Sequence, residues 1–252
     1  GTQSLSDYNK CAIDAAFSSN DNWPYNWEDL CYFWPQSNDE LQVAVDLWYD
    51  DNEAALELYG PINNWDVSLI TSMNHLFINK STFNSDISNW DVSNVTNMAE
   101  MFKDASSFNQ DLSNWDVSNV EAMNEMFLGC SNFNGNINDW NVSSVGDMYG
   151  MFMWAYEFNQ DIAGWDVSNV GEMSDMFNIA TNFNQDLSNW DVSGAEYMNN
   201  MFNGTSLSEE NKCAIHNSFS VNESWPYNWA GFCNLSNQTS LIAPQKFSLH
   251  QK

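Results

Sequence analysis

Tryptophan returns every 25 residues along the middle of this chain, at Trp65, Trp90, Trp115, Trp140, Trp165 and Trp190, without a single slip. Valine follows each one two positions later, at Val67, Val92, Val117, Val142, Val167 and Val192. Met73, Met98, Met123, Met148, Met173 and Met198 hold the same register, and so do Phe77, Phe102, Phe127, Phe152, Phe177 and Phe202. Self-similarity at a fixed short period marks a repeat architecture, in which each unit touches only its neighbours. A unit of this size cannot bury its apolar face alone. The sequence therefore predicts a solenoid whose coils stack and share one continuous core.

Within a unit, Met98, Met101, Phe102 and Ala105 fall at i, i+3, i+4 and i+7, the stripe of a short helix. Thr96 or Asn97 could cap its start. The stretch 87–95 is β-branched and aromatic but broken by Ser, Asn and Asp, which suits one or two short strands around a tight turn. The expected class is thus α/β, a solenoid of six 25-residue coils made of short strands plus a short helix.

An open solenoid needs different ends, because its terminal coils would otherwise show bare core. Residues 5–31 and 207–233 are near copies, matching at 16 of 27 positions and sharing the block Trp-Pro-Tyr-Asn-Trp. The organisation expected is a Cys/Trp capping module over 1–36 and a helical cap over 37–61. That cap would hold helices over 39–50 and 51–59, with Asn38 as N-cap and Gly60-Pro61 as stop. The six-repeat solenoid follows over 62–206, a second Cys/Trp module over 207–236, and a polar, aperiodic linker or tail over 237–252.

Charge narrows the partners. Six Lys and Arg against 34 Asp and Glu leave a net charge of −28. Nucleic acid and anionic membrane both need a basic patch to displace counterions, so neither is expected. Thirteen Trp, sixteen Phe and twelve Met supply more apolar surface than a disordered chain carries. No window approaches the roughly 18 apolar residues of a membrane span. No leader with a basic start and apolar middle opens the sequence, which reads as a mature or trimmed product.

Four of the five cysteines form two pairs of one spacing, Cys11 with Cys31 and Cys213 with Cys233. A cross-link would stabilise a small module, and disulfides imply an oxidising compartment. Metal binding is the other reading, although no second ligand pair accompanies either set, and Asp14 stands in the first copy where His216 stands in the second. Cys130 takes a position held elsewhere by Ala105, Ala155, Ala180 and Thr205, so a small buried free thiol is expected there.

Other patterns divide between architecture and binding. The Trp ladder is either stacked core or a row of flat faces for sugar rings; its invariance over six copies favours core. Two acidic ladders recur, Asp86, Asp111, Asp161 and Asp186, and Asp66, Asp91, Asp116, Asp166 and Asp191, with Asn136 and Asn141 interrupting them in one repeat. These carboxylates either cap turns or hold calcium between coils, with Asp86, Asp91, Asp111, Asp116, Asp161, Asp166, Asp186 and Asp191 as ligands. Asn84, Asn109, Asn134, Asn159 and Asn184 form a column of amides suited to bonding one another or the backbone. The fourth repeat departs from the rest in its aromatic content, and Tyr149, Met153, Trp154 and Tyr156 form the candidate ligand or partner patch.

The unit F-N-x-D-[IL]-S-x-W-D-V-S-N-V-x-x-M-x-x-M-F resembles the BspA-like bacterial surface-protein repeat, a divergent leucine-rich repeat, over 62–205. That resemblance implies a leucine-rich-repeat-like solenoid with binding or adhesive roles on secreted or cell-surface proteins. The ending Ala243-Pro-Gln-Lys-Phe-Ser-Leu-His-Gln-Lys252 resembles the opening of a type IX secretion C-terminal sorting domain. It implies a bacterial protein exported to the cell surface or beyond.

Catalysis finds little footing. His75, His216 and His250 are scattered, and no nucleophile elbow, phosphate loop or HExxH occurs. Every Asp of the repeats recurs in its neighbours, which marks architecture. The expected function is a non-catalytic extracellular repeat domain that binds a protein or glycan, with no cofactor apart from calcium. A purely structural spacer or stalk is the alternative. A carbohydrate-processing enzyme would require a cleft with paired carboxylates.

Overall fold

A computed structural model describes residues 33–234, together with Ile13, Asn20 and Pro24. The expected Cys11–Cys31 pair, most of the 1–36 module and the 237–252 tail lie outside the described residues.

Every coil offers the same apolar set. In one of them Trp90, Val92, Val95, Met98, Met101, Phe102, Ala105 and Phe108 are all buried. Two neighbouring coils therefore present matching surfaces, and residue i comes to stand beside residue i+25. Single-residue parallel bridges run Ser72–Asn97–Ala122–Asp147–Glu172–Tyr197 across all six coils. Phe77, Phe102, Phe127, Phe152, Phe177 and Phe202 stack as one column with ring centroids 5.2–5.7 Å apart. Phe83, Phe108, Phe133, Phe158 and Phe183 form a second column beside it. Rings at this offset bury much apolar area and add stacking energy of about 0.5–1.5 kcal/mol per pair. The core is one continuous seam along the stack.

The stretch with helical spacing is not an α-helix. Its amides alternate. Those of Met98, Glu100, Phe102 and Asp104 donate to the carbonyls of Ala122, Asn124, Met126 and Leu128 in the next coil, while those of Met101, Lys103 and Ala105 close turns onto Met98, Glu100 and Phe102. A helix would spend every amide within its own segment, so a coil that must bond its neighbour takes consecutive turns in its place. Two left-handed residues per coil make those turns possible, Glu100 and Asp104 in this one. Nor does the 87–95 stretch form regular strands; among the described residues β-pairing is confined to those single bridges, with isolated lateral amide bonds such as Ser107 to Ser81 and Leu112 to Asn136 elsewhere.

Helices close the first coil. Helix α1 (Asn38–Asp50) starts one residue before its expected onset, with Ser37 as N-cap accepting from the Glu40 amide. Helix α2 (Asn52–Tyr59) ends on Gly60, whose φ of 69° lets the chain turn into the first coil. Leu41, Ala44 and Val45 of α1 are buried, and Trp48 meets Trp65 edge-on at 5.8 Å. Lys80 ties the coil to α1 through Asp46 at 2.7 Å.

The last coil is closed by imitation. The Phe202 amide would donate to a seventh coil; it donates instead to the Tyr227 hydroxyl at 2.9 Å. Burial pushes the Tyr227 phenol up to about 12. Helix α3 (Glu209–Phe219) places Asn211 so that its side-chain amide donates to Asn184 as a coil residue would. Trp225 and Trp229 cover Phe202, and the Cys213–Cys233 disulfide joins α3 to the 3-10 turn at Ala230–Asn234.

Candidate functional site

The repeated polar residues hold the stack together. All six ladder tryptophans are buried, between 2% and 4% exposed. Trp90, Trp115, Trp140, Trp165 and Trp190 each donate an indole N–H to a carbonyl of the preceding coil. They offer no face to a sugar. Asn84, Asn109, Asn134 and Asn159 each accept the backbone amide of the next asparagine up the column.

Asp86, Asp91, Asp111, Asp116, Asp161, Asp166, Asp186 and Asp191 each accept the amide two residues onward. Asn136 and Asn141 do the same in the repeat that lacks Asp. These are Asx turns, for which an amide oxygen serves as well as a carboxylate. Hydroxyl and amide donors of the following Ser hold Asp111, Asp116, Asp166 and Asp191 below the usual carboxylate range. Among the described residues no three His, Cys, Asp or Glu side chains gather as a metal-binding group.

One region escapes the repeat. Tyr149, Trp154 and Tyr156 are exposed on the fourth coil, and Met153 is half-buried. Trp154 occupies a left-handed column whose other members are Asn79, Asp104, Gly129, Ile179 and Gly204. Gly, Asn and Asp adopt that conformation readily; an indole does so at a cost, and β-branched Ile179 is worse placed still. Such residues carry about 1–3 kcal/mol of backbone strain each. Ile179 lies directly on the next coil, since the Trp154 amide donates to the Asn178 carbonyl, and it too is exposed at 39%. Two adjacent coils thus hold large apolar side chains outward on strained backbone.

The floor beside them is also irregular. Gly150 stands where the flanking coils carry Glu125 and Asp175. A Cβ at Gly150 would lie 3.5 Å from Glu125 Cγ and 3.8 Å from both Leu128 Cδ1 and Met153 Cβ; Leu128 is buried and Met153 half-buried. Around the spot the field is negative. Burial, then Asp175, Glu125 and Glu172, push the Tyr149 phenol up. Lys103 bridges Glu100 and Glu125. No lysine among the described residues pairs with Asp147, Glu172 or Asp175.

The structure sets Trp154, with Met153 next to it in the chain, beside Ile179, which sequence reading passed over, while Tyr149 lies by Asp175, Glu125 and Glu172. The signal was present: Ile179 departs from Gly, Asn and Asp at its register position. Tyr156 is separated from Trp154 by buried Ala155. Elsewhere the surface offers shallow hollows. One of about 250 Å³ is lined by Trp48, Tyr49, Thr82 and Ser85; another of about 360 Å³ lies at Trp65, Asp66, Asn89 and Asp91. His216 Nδ1 accepts the Trp225 indole N–H within the cap, and His75 pairs with Glu100. Cys130 is a free, buried thiol whose pKa burial drives well up, and it donates to the Phe102 carbonyl.

A protein family described as "Mycoplasma protein of unknown function, DUF285" matches residues 48–153 and again 113–217. No curated protein and no solved structure matches the chain.

Proposed function

The chain belongs to the DUF285 family, and from that premise we propose that it is an extracellular, non-catalytic binding module that takes its partner on the lateral surface of the stack. The observation that carries this reading is the outward Trp154–Ile179 pair. Large apolar groups that stay about 40% exposed on strained left-handed backbone carry a stability cost and leave apolar surface open to a partner. In this reading the stack is a divergent leucine-rich-repeat solenoid of the BspA-like kind, exported by a bacterium through the type IX route. The Cys213–Cys233 disulfide supports an oxidising compartment. Adhesion to a protein or glycan is the corresponding role.

A screen of immobilised surface proteins and glycans, run with the whole chain, tests the reading. Binding that Trp154→Gly reduces is the expected result; binding that ignores every variant of the fourth and fifth coils would overturn it. Running each arm with calcium and with chelator tests the ion, since a bound cation raises the melting temperature. A spacer or stalk is the second reading. It is favoured by the unbroken asparagine column, which cross-links every coil to the next as a rigid rod requires.

A further inference from the structure

We propose that the apolar spot on the fourth and fifth coils receives a basic polypeptide segment of a partner protein. One apolar side chain would sit between Trp154, Ile179 and Met153, and flanking lysines or arginines would reach Asp147, Glu172 and Asp175. This deepens the lateral-surface reading and rests on it.

Charge complementarity selects the occupant. The chain contains no arginine and only six lysines against 34 carboxylates. Among the four central coils of this column, Glu100, Glu125 and Asp175 are acidic and Gly150 is not, and Gly150 belongs to the coil that carries Tyr149, Met153 and Trp154; the end coils place His75 and Asn200 there. Above and below, the acidic side chains return. The spot is therefore the open surface of Trp154, Ile179 and half-buried Met153 with carboxylates on the neighbouring coils, and Asp147 and Glu172 are bridged partners in one parallel row. An anionic or strongly polar ligand would meet repulsion there. A neutral apolar one would leave three carboxylates without counter-charge. A segment alternating cationic and apolar side chains matches both features: long Lys or Arg stems lie along apolar surface with their heads outward, and aromatic faces such as Trp154 and Tyr149 attract cations.

The two left-handed residues make the site separable from the scaffold. Gly129 and Gly204 occupy their column in adjacent coils, so Trp154→Gly and Ile179→Gly introduce a residue the coil already uses. The double variant should keep or raise the melting temperature while losing the site, because removing strain stabilises and removing contact weakens binding.

The test measures, by calorimetry with the full chain, a twelve-residue peptide alternating Lys and Leu. Peptides with Glu or Ser in place of Lys and a set of neutral oligosaccharides serve for comparison. The expected result is Lys/Leu binding that falls roughly tenfold in Trp154→Gly/Ile179→Gly. It should weaken several-fold in Glu172→Gln/Asp175→Asn and weaken with salt. Asp161→Asn/Asp186→Asn, which removes the same charge at another turn of the coil, should change it little. Equal loss in both charge variants would mean attraction to net charge alone and would overturn the proposal. Site-dependent binding of the Ser peptide or of an oligosaccharide in preference to Lys/Leu would overturn it while sparing the lateral-surface reading. No dependence of any probe on Trp154 or Ile179 would remove both. A marked fall in melting temperature for the glycine variants would show that the two side chains serve packing, and the proposal would fall with it.

Discussion

Cys130 stands where three other coils place alanine, and it marks how little space the seam leaves. Its Sγ–H donates to the Phe102 carbonyl at 2.8 Å inside fully buried surroundings. Cys130→Ala should cost no more than about 1 kcal/mol in chemical denaturation, the size of one hydrogen bond and a small void, whereas Cys130→Leu should cost more by overpacking. The native thiol should resist iodoacetamide until the chain unfolds, since burial disfavours the thiolate. Asn138 presents the opposite case. Its Oδ1 is buried without a hydrogen-bond partner among the described residues, while Ser113 and Ser188 occupy the same register position. Asn138→Ser should raise stability by about 1 kcal/mol, the relief of an unsatisfied polar atom.

At the scale of the coil, the polar ladders do the joining. Asn134→Ala would leave the Asn159 amide without its acceptor and should cost about 1 kcal/mol in urea denaturation, with water recovering part of the loss. The Asx turns add a pH signature. Asp111 and Asp116 are held below their unfolded pKa by donors from Ser113 and Ser118. A depressed folded pKa contributes stability above the unfolded value, about 3.9, and that contribution disappears as pH falls through the folded value. Asp111→Ala/Asp116→Ala should therefore melt below wild type at pH 7, and the gap should close below about pH 4. A gap unchanged at pH 3 would show that the carboxylates contribute nothing through their charge. The turns were partly legible beforehand, since Asp-x-Ser is a turn signature at any burial. The row of turns over 98–105 was not: its apolar spacing fits a helix, and only the lateral demand of the next coil's carbonyls sends every second amide elsewhere.

Across the whole molecule, stability depends on the ends and on screening. The cap at Tyr227, Asn211 and Trp225 stands in for a seventh coil, and the Cys213–Cys233 bond closes a 20-residue span within it. Cys213→Ser/Cys233→Ser should lose about 3 kcal/mol, the chain-entropy value for a loop of this length. The loss should appear first as faster amide exchange in the sixth coil, because each coil is supported only by its neighbours. A net charge of −28 on one chain repels itself, so added salt should raise the melting temperature.

The 25-residue register was readable from residues alone, because identical side chains facing identical neighbours leave one economical way to match them. It placed the buried tryptophans, the asparagine column and the odd fourth coil. Backbone handedness was beyond its reach. Nothing in the letters of Trp154 or Ile179 says that their φ angles are positive, since that sign is set by the lateral bonds each coil makes with the next. Those bonds turned a helical pattern into turns, and they pointed two large apolar side chains into solvent.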